Sequence, residues 1–268
     1  DKNIETVAIY SSADKDSLHV LLANESVCVG AAPPSESYLN MDNIIEAALG
    51  TGCDAVHPGF GFLSENPSFA ALCEGNDIKF IGPSSKIIEQ MGNKSAAREL
   101  MMKAGVPTVP GSDGAVSDID TAKSIAEKIG FPILIKASAG GGGRGMRRAN
   151  SLDDIERAFD DARAEARAAF GDDTVYIEKL ILSPKHIEVQ ILSDSFGNTI
   201  HLGERNCSIQ RKNQKMLEEA PAFAFDHELR ENMCAAAVKA AKACKYEGAG
   251  TVEFVLDAEN KFYFIEMN

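Results

Sequence analysis

Positive charge is what this sequence has least of: 27 Lys and Arg stand against 40 Asp and Glu, a formal net charge of −13. That balance argues against a nucleic-acid surface, which needs a basic stripe along the phosphates, and against attraction to anionic membranes. It leaves nucleotides open, because a few placed lysines suffice to hold one. Long apolar runs are missing as well. None approaches the ~20 residues that span a bilayer, and no basic-then-apolar signal segment opens the chain. The cysteines (Cys28, Cys53, Cys73, Cys207, Cys234, Cys244) form no C-x-x-C pair, so they read as reduced thiols of a cytosolic or organelle-matrix protein. There are no internal repeats or low-complexity tails. What remains, 44% apolar and 25% charged residues over 268 positions, is the composition of a globular enzyme with one large domain or two modest ones.

The first part alternates strands (Val7–Tyr10, Ser26–Val29, Asp54–His57, Lys79–Ile81) with helices (Ser17–Leu22, Met41–Thr51, Ser68–Glu74). Alternation of this kind favours a parallel α/β sheet, whose opening strand would precede residue 1. A helical pattern over Lys86–Gly105 meets stop signals at Gly105 and Pro107, and the Pro- and Gly-rich stretch Val106–Gly114 reads as a linker. Next come helix Thr121–Ile129, strand Pro132–Lys136, a polyglycine run, and a helix from a capping-box start at Ser151 to about Phe170. Strands Val175–Lys179, His186–Leu192 and Thr199–Glu204 follow, then helix Glu228–Cys244 and a hairpin of Thr251–Leu256 with Lys261–Glu266. Antiparallel hairpins after a parallel half predict a second domain, with the boundary between residues 82 and 110.

Two stretches carry most of the chemistry. Lys136 leads into Gly140–Gly143, Arg144 and Gly145. Consecutive glycines let backbone N–H groups surround a phosphate, and Lys136 can reach it as a point charge. Neither the G-K-[ST] ending of a P-loop nor G-x-G-x-x-G spacing is present. The second stretch is the last hairpin. With its turn centred on Ala258-Glu259, Leu256 opposes Lys261, Glu253 opposes Phe264 and Thr251 opposes Glu266. Strand alternation then puts Glu253, Glu266 and Asn268 on one face and Val252, Phe254, Leu256, Tyr263 and Ile265 on the core face. Two carboxylates in diagonal reach repel unless a cation lies between them. Together with an amide they suit Mg²⁺ or Mn²⁺. The competing reading is a solvent-facing acidic strand pair, and a slip of one residue in the turn breaks the constellation.

Weaker signals lie between these two. Glu178 and Lys179 end a strand at a domain junction, where backbone groups suit an adenine, although such a pair is commonly just solvated. Alternation gathers His186, Glu188 and Gln190 on one polar face; His186 alone reads as a hydrogen-bonded histidine rather than a metal ligand. Gln210–Lys215 is a basic run in an acidic protein, open to an anionic substrate or to solvent. Cys207 beside it reads as structural, and no Ser-His-Asp or Cys-His triad stands out.

Taken in order, Ser12–Asp14, His57–Asn66, Met91–Lys94, Gly105–Pro107, Ile135-Lys136 with Gly140–Met146, and Tyr176–Lys179 resemble the biotin carboxylase family. The likeness continues through Pro184–Gln190, Cys207–Arg211, Gln214-Lys215, Glu218–Pro221 and Phe264–Asn268, nearly the whole chain. The resemblance implies an α/β protein in two parts. A Rossmann-like N-terminal (pre-ATP-grasp) domain over 1–90 lacks its first strand–helix unit. An ATP-grasp domain with mixed and antiparallel sheets covers 91–268, its lid at about 108–180. It further implies ATP between lid and base, with Lys94 and Lys136 on phosphates and Glu178, Lys179 and Ile181 at the adenine. His186 and Gln210 would meet ribose or nearby phosphate, and Gly141, Gly142, Gly143 and Met146 complete the nucleotide site. Lys215, Gln210 and Asn213 form the implied catalytic set, and Glu253, Glu266 and Asn268 carry Mg²⁺ or Mn²⁺, two ions in all.

In this family ATP phosphorylates bicarbonate to carboxyphosphate, whose CO₂ passes to biotin on a carrier domain. The implied partners are bicarbonate, a biotin carboxyl carrier domain or protein, a carboxyltransferase component and, at full length, further copies of the same chain. Nucleic acid and membrane are not among them, and the implied compartment is the cytoplasm or a mitochondrial or plastid matrix. Two departures from the family pattern stand out. Asn213 replaces a common histidine, and the family's bicarbonate-binding arginine and general-base glutamate would follow Asn268. The 268 residues are therefore expected to bind nucleotide without turnover. Two rivals are another ATP-grasp ligase, such as a carbamoyl-phosphate synthetase half or a D-alanine ligase, and a non-catalytic nucleotide-binding module.

Overall fold

Short β-branched runs and capped helices build the first of two units, Asp1–Glu89, in a computed structural model that describes residues 3–138, 145–211, 214–223 and 225–268. In order they are β1 (Val7–Ser11), α1 (Leu18–Leu22), β2 (Glu25–Gly30), α2 (Met41–Gly50), β3 (Ala55–Val56), α3 (Pro67–Gly75) and β4 (Lys79–Phe80). β1 pairs with β2 and β3 with β4, both in parallel. The side chains of Asn40 and Asn66 accept the N–H of Asn43 and Phe69 and so start α2 and α3. Ile44, Ile45, Phe69, Ala70, Cys73 and Ile78 fill the core with Phe80, whose ring meets Phe69 edge-on at 6.1 Å. Asp14 accepts hydrogen bonds from Ser11 Oγ (2.6 Å) and Tyr38 Oη (2.7 Å).

The second unit is Gln90–Asn268. The helical pattern expected over Lys86–Gly105 forms two helices, α4 (Ser85–Gly92) and α5 (Lys94–Lys103). Asn93 takes an extended conformation and caps α5 through Ala96 N–H. Asparagine competes for backbone donors in this way, which is why it breaks an otherwise helical pattern. Beyond come α6 (Ile119–Ile129), β5 (Ile133–Ala137), β6 (Met146–Ala149), α7 (Leu152–Phe170) and β7 (Val175–Lys179). β6, β5 and β7 form an antiparallel three-stranded sheet, and β6 was not foreseen. Ile133, Ile135, Val175 and Ile177 alternate onto one face and pack with Ala122, Ala126, Ile155 and Phe159 of α6 and α7.

The larger sheet holds β8 (Lys185–Ser193), β9 (Thr199–Arg211), β10 (Gln214–Glu219), β11 (Gly248–Leu256) and β12 (Phe262–Met267), with α8 (His227–Cys244) before β11. Its order is β10-β9-β8-β11-β12, antiparallel throughout. The strand expected to end at Glu204 continues to Arg211, and the basic run beyond it returns as β10. Polar residues held by cross-strand partners gave no apolar alternation to announce either. α8 covers one face: Glu204 pairs opposite Val189, is buried there, and accepts from Arg230 of α8 at 2.8 Å. Ile187, Val189, Ile191, Val252, Phe254 and Phe264 are all buried on that side.

The stretch expected as a free linker is paired at both ends. Pro107 O accepts from Phe264 N of β12 at 2.7 Å, while Ser112 N donates to Ile177 O of β7 at 2.8 Å. Gly111 allows this approach, since a Cβ there would lie 2.2 Å from Ile177 O. This strap ties the two sheets of the second unit together. No helix of the described residues is long and apolar enough to cross a membrane.

Candidate functional site

The closing hairpin does not have the expected register. Its turn is one residue longer, so Leu256 opposes Phe262 and Phe254 opposes Phe264, and a bulge at Ile265 then sets Glu253 directly opposite Glu266. The longer turn by itself would send Glu266 to the far face; the extra bulge residue brings it back. The core side is therefore Phe262, Phe264 and Met267 rather than the expected Tyr263 and Ile265. The shared face of Glu253 and Glu266 survives for a reason the alternation pattern could not contain.

That pairing belongs to a longer row. Glu266 on β12 opposes Glu253 on β11, Glu253 opposes Glu188 on β8, and Glu188 opposes Arg205 on β9. Like charges directly opposite destabilise a sheet, so three carboxylates in one line demand cations. Lys94, at the start of α5, is ion-paired with Glu266. Lys215 reaches over from the edge strand β10 to Glu188 and, at 2.7 Å, to Glu253. Arg205 Nε donates to Glu188 at 2.5 Å, and Asn268 Nδ2 to Glu253 at 2.7 Å. Glu188 and Glu253 are almost fully buried. Burial alone would raise the Glu253 carboxyl, but hydrogen bonds from His186 and Lys215 hold it down at about 2. Burial works against the Lys215 ammonium too, and its bonds to Glu188 and Glu253 raise it above the ordinary lysine value.

The histidine tautomer follows from its neighbours. Gln210 Nε2 donates to Cys207 O at 2.9 Å, so the same amide nitrogen, 2.7 Å from His186 Nδ1, donates there as well. Nδ1 is the acceptor, and Nε2 carries the proton it donates to Glu253 Oε2 at 2.6 Å. Cys207 is buried, and burial first, then the Glu188 charge, pushes its thiol up to about 12. It stays protonated and inert, in its expected structural role.

A second polar group lies on the three-stranded sheet, mainly on the face turned away from α6 and α7. Met146, Lys136 and Tyr176 oppose one another across β6, β5 and β7. Lys136 Nζ lies 2.5 Å from the buried Glu178 carboxylate. Lys179 Nζ donates to Phe131 O at 2.6 Å, and Ile181 follows the end of β7, half-buried. The root of the glycine run touches the first group: Ser138 O accepts from Lys94 N at 3.3 Å, and Ser138 Oγ meets Ser95 Oγ at 2.6 Å. Gly141, Gly142, Gly143 and Asn213 lie outside the described residues. Lys94, His186, Gln210, Lys215, Glu253, Glu266 and Asn268 thus share one sheet face. Lys136, Met146, Glu178 and Lys179 gather on the other sheet.

Glu188 and Arg205 were absent from the expected site, although alternation had already put Glu188 on the polar face. Arg205 gave no signal, because its strand could not be followed past Glu204. The donor set is all oxygen, two opposed carboxylates with an amide beside them, and suits a hard divalent cation. Lysines already on those carboxylates show that positive charge is what the face accepts.

Comparison with known proteins agrees along the full chain. Residues 1–88 match the biotin carboxylase N-terminal domain, and residues 93–268 the ATP-binding domain of the carbamoyl-phosphate synthase L chain. A biotin carboxylase of Nostoc sp. is 56% identical over 100% of this chain and 60% of its own length. The crystal structure of a Campylobacter jejuni biotin carboxylase–β,γ-ATP complex superimposes with a TM-score of 0.93 at 52% identity, over 98% of this chain and 59% of that one. The biotin carboxylase domain of Hydrogenobacter thermophilus 2-oxoglutarate carboxylase, in complex with MgADP, ADP and bicarbonate, gives 0.90 at 50% identity, over 99% and 58%. The chain thus spans about 60% of the length of such relatives. With an N-terminal domain and an ATP-grasp domain that both match in sequence and in fold, the chain belongs to the biotin carboxylase family.

Proposed function

We propose that this chain supplies the nucleotide- and metal-binding part of an enzyme that carboxylates carrier-bound biotin with ATP and bicarbonate. Domains over 1–90 and 91–268, with a lid at about 108–180, are part of the same reading. The observation that carries it is the carboxylate row Glu266–Glu253–Glu188 with Lys94 and Lys215 lying on it. Relatives named for biotin carboxylase, and a structural neighbour described with MgADP and bicarbonate, favour this chemistry over other ATP-grasp reactions. Partners of the whole protein would be a biotin carrier domain and a carboxyltransferase component, in the cytoplasm or an organelle matrix.

Glu253, Glu266 and Asn268 would hold Mg²⁺ or Mn²⁺, which supplies charge neutralisation on a transferring phosphoryl group. With a cation held there, the Lys94 and Lys215 ammoniums, now paired with Glu266 and with Glu188 and Glu253, would be available to phosphate or bicarbonate oxygens. His186 keeps its Nε2 proton on Glu253, holding that carboxylate ionised and oriented. Lys136, at the root of the glycine run, would reach the phosphates, with Glu178, Lys179 and Ile181 at the adenine and Met146 beside them. Gln210 orients His186, and Asn213 would follow it in the catalytic set.

Calorimetry with this chain tests the reading. MgATP should bind, and Lys136→Ala should weaken it at least tenfold, about 1.4 kcal/mol. Unchanged affinity in that variant removes the phosphate role of the loop. In the longer protein, bicarbonate-dependent ATP hydrolysis should accelerate with free biotin, and its indifference to biotin would favour a different ATP-grasp ligase.

A further inference from the structure

Arg205 is the residue of the polar row that no part of the mechanism uses. Its Nε contacts two carboxylates, Glu188 at 2.5 Å and Glu218 at 3.5 Å. Its Nη1 and Nη2 both donate to Gln190 Oε1 at 3.2 Å, and Gln190 Nε2 in turn donates to Gly250 O on β11 at 2.8 Å. The guanidinium is therefore fixed across β9, β8 and β11. The ligand atoms of Glu188, Cys207 and Glu218 lie within 4.8 Å of one another, close enough to share one cation. The Arg205 guanidinium already contacts both carboxylates of that group.

The row also needs charges of two kinds. Glu188, Glu253 and Glu266 bring three negative charges, and Lys94, Lys215 and Arg205 bring three positive ones. Two of the cations are flexible ammoniums on carboxylates proposed to bind metal. The third is a planar fork with several donors engaged, much harder to displace. A divalent cation offered three carboxylates in line would otherwise find ligands at both ends of the row.

We propose that Arg205 is a positioning residue that acts as a built-in cation, withholding Glu188 from metal and confining the divalent cation to Glu253 and Glu266. Glu188 then serves to hold Lys215 and is not a ligand. This rests on the metal reading proposed above for Glu253 and Glu266. It predicts a gain: without Arg205, Glu188 and Glu218 become a second oxygen site for a divalent cation.

The test is Mn²⁺ binding to this chain without nucleotide, followed by electron paramagnetic resonance. R205M should bind one more Mn²⁺ per chain than the wild type. R205M/E188Q should return to the wild-type number. A wild-type Mn²⁺ number and affinity in folded R205M would overturn the assignment. Should R205M fail to fold, E188Q decides: affinity within twofold of wild type supports it, and a tenfold loss overturns it by making Glu188 a ligand. Glu266→Gln separates this from the underlying reading. If that variant binds Mn²⁺ as the wild type does, the metal reading itself fails, whatever R205M shows.

Discussion

Glu253 and Phe254 are neighbours in the chain and point to opposite faces of the five-stranded sheet. On the Phe254 face, Ile187, Val189, Val252 and Phe264 are buried, and the acid buried among them, Glu204, is matched by Arg230 of α8. On the Glu253 face, carboxylates from three strands are opposed and have drawn cations from α5, β9 and β10. The first face lowers the free energy by removing apolar surface from water. The second retains its charges because each repulsion is closed by a counter-ion. The smaller sheet repeats the division with one closed pair, Lys136–Glu178.

The contrast can be broken from either side. Phe254→Ala should cost the most, about 4 kcal/mol in urea denaturation, since it empties a fully buried position. A loss below that of any change on the polar face would show that the apolar side does not dominate folding. The other face can be broken with acid. The Glu253 carboxyl lies at about 2 in the folded protein against a usual 4.5, so its contribution is whole above pH 4.5 and is lost as pH falls toward 2. The amount is on the order of 3 kcal/mol, read as stability against pH. Glu253→Gln should flatten that acid limb, and an unchanged limb would mean that other carboxylates carry it. The smallest effect is expected for Asn268→Ala, about 1.5 kcal/mol for one hydrogen bond to a charged acceptor. That variant should weaken Mn²⁺ binding severalfold while leaving the core untouched.

Local pattern was legible where neighbours along the chain decide the outcome. The helices start at Asn, Asp or Ser caps, β7 spans Val175–Lys179 as expected, and the apolar alternation of β8 and β11 marks their buried face. The shared face of Glu253, Glu266 and Asn268 was visible too. The hairpin shows the limit. Its turn length and the bulge at Ile265 were both unforeseen, and their effects on the side of Glu266 cancel.

The sequence by itself therefore determined the class of the fold, most of its elements in their order and the family, because caps, alternation and ordered motifs act over a few residues at a time. Only the tertiary structure decided which cation answers which carboxylate. Lys94 and Glu266 are 172 residues apart, and Lys215 lies 38 residues from Glu253. Strand order and register bring such groups together, and a charge pair leaves no periodic trace in the residues between them.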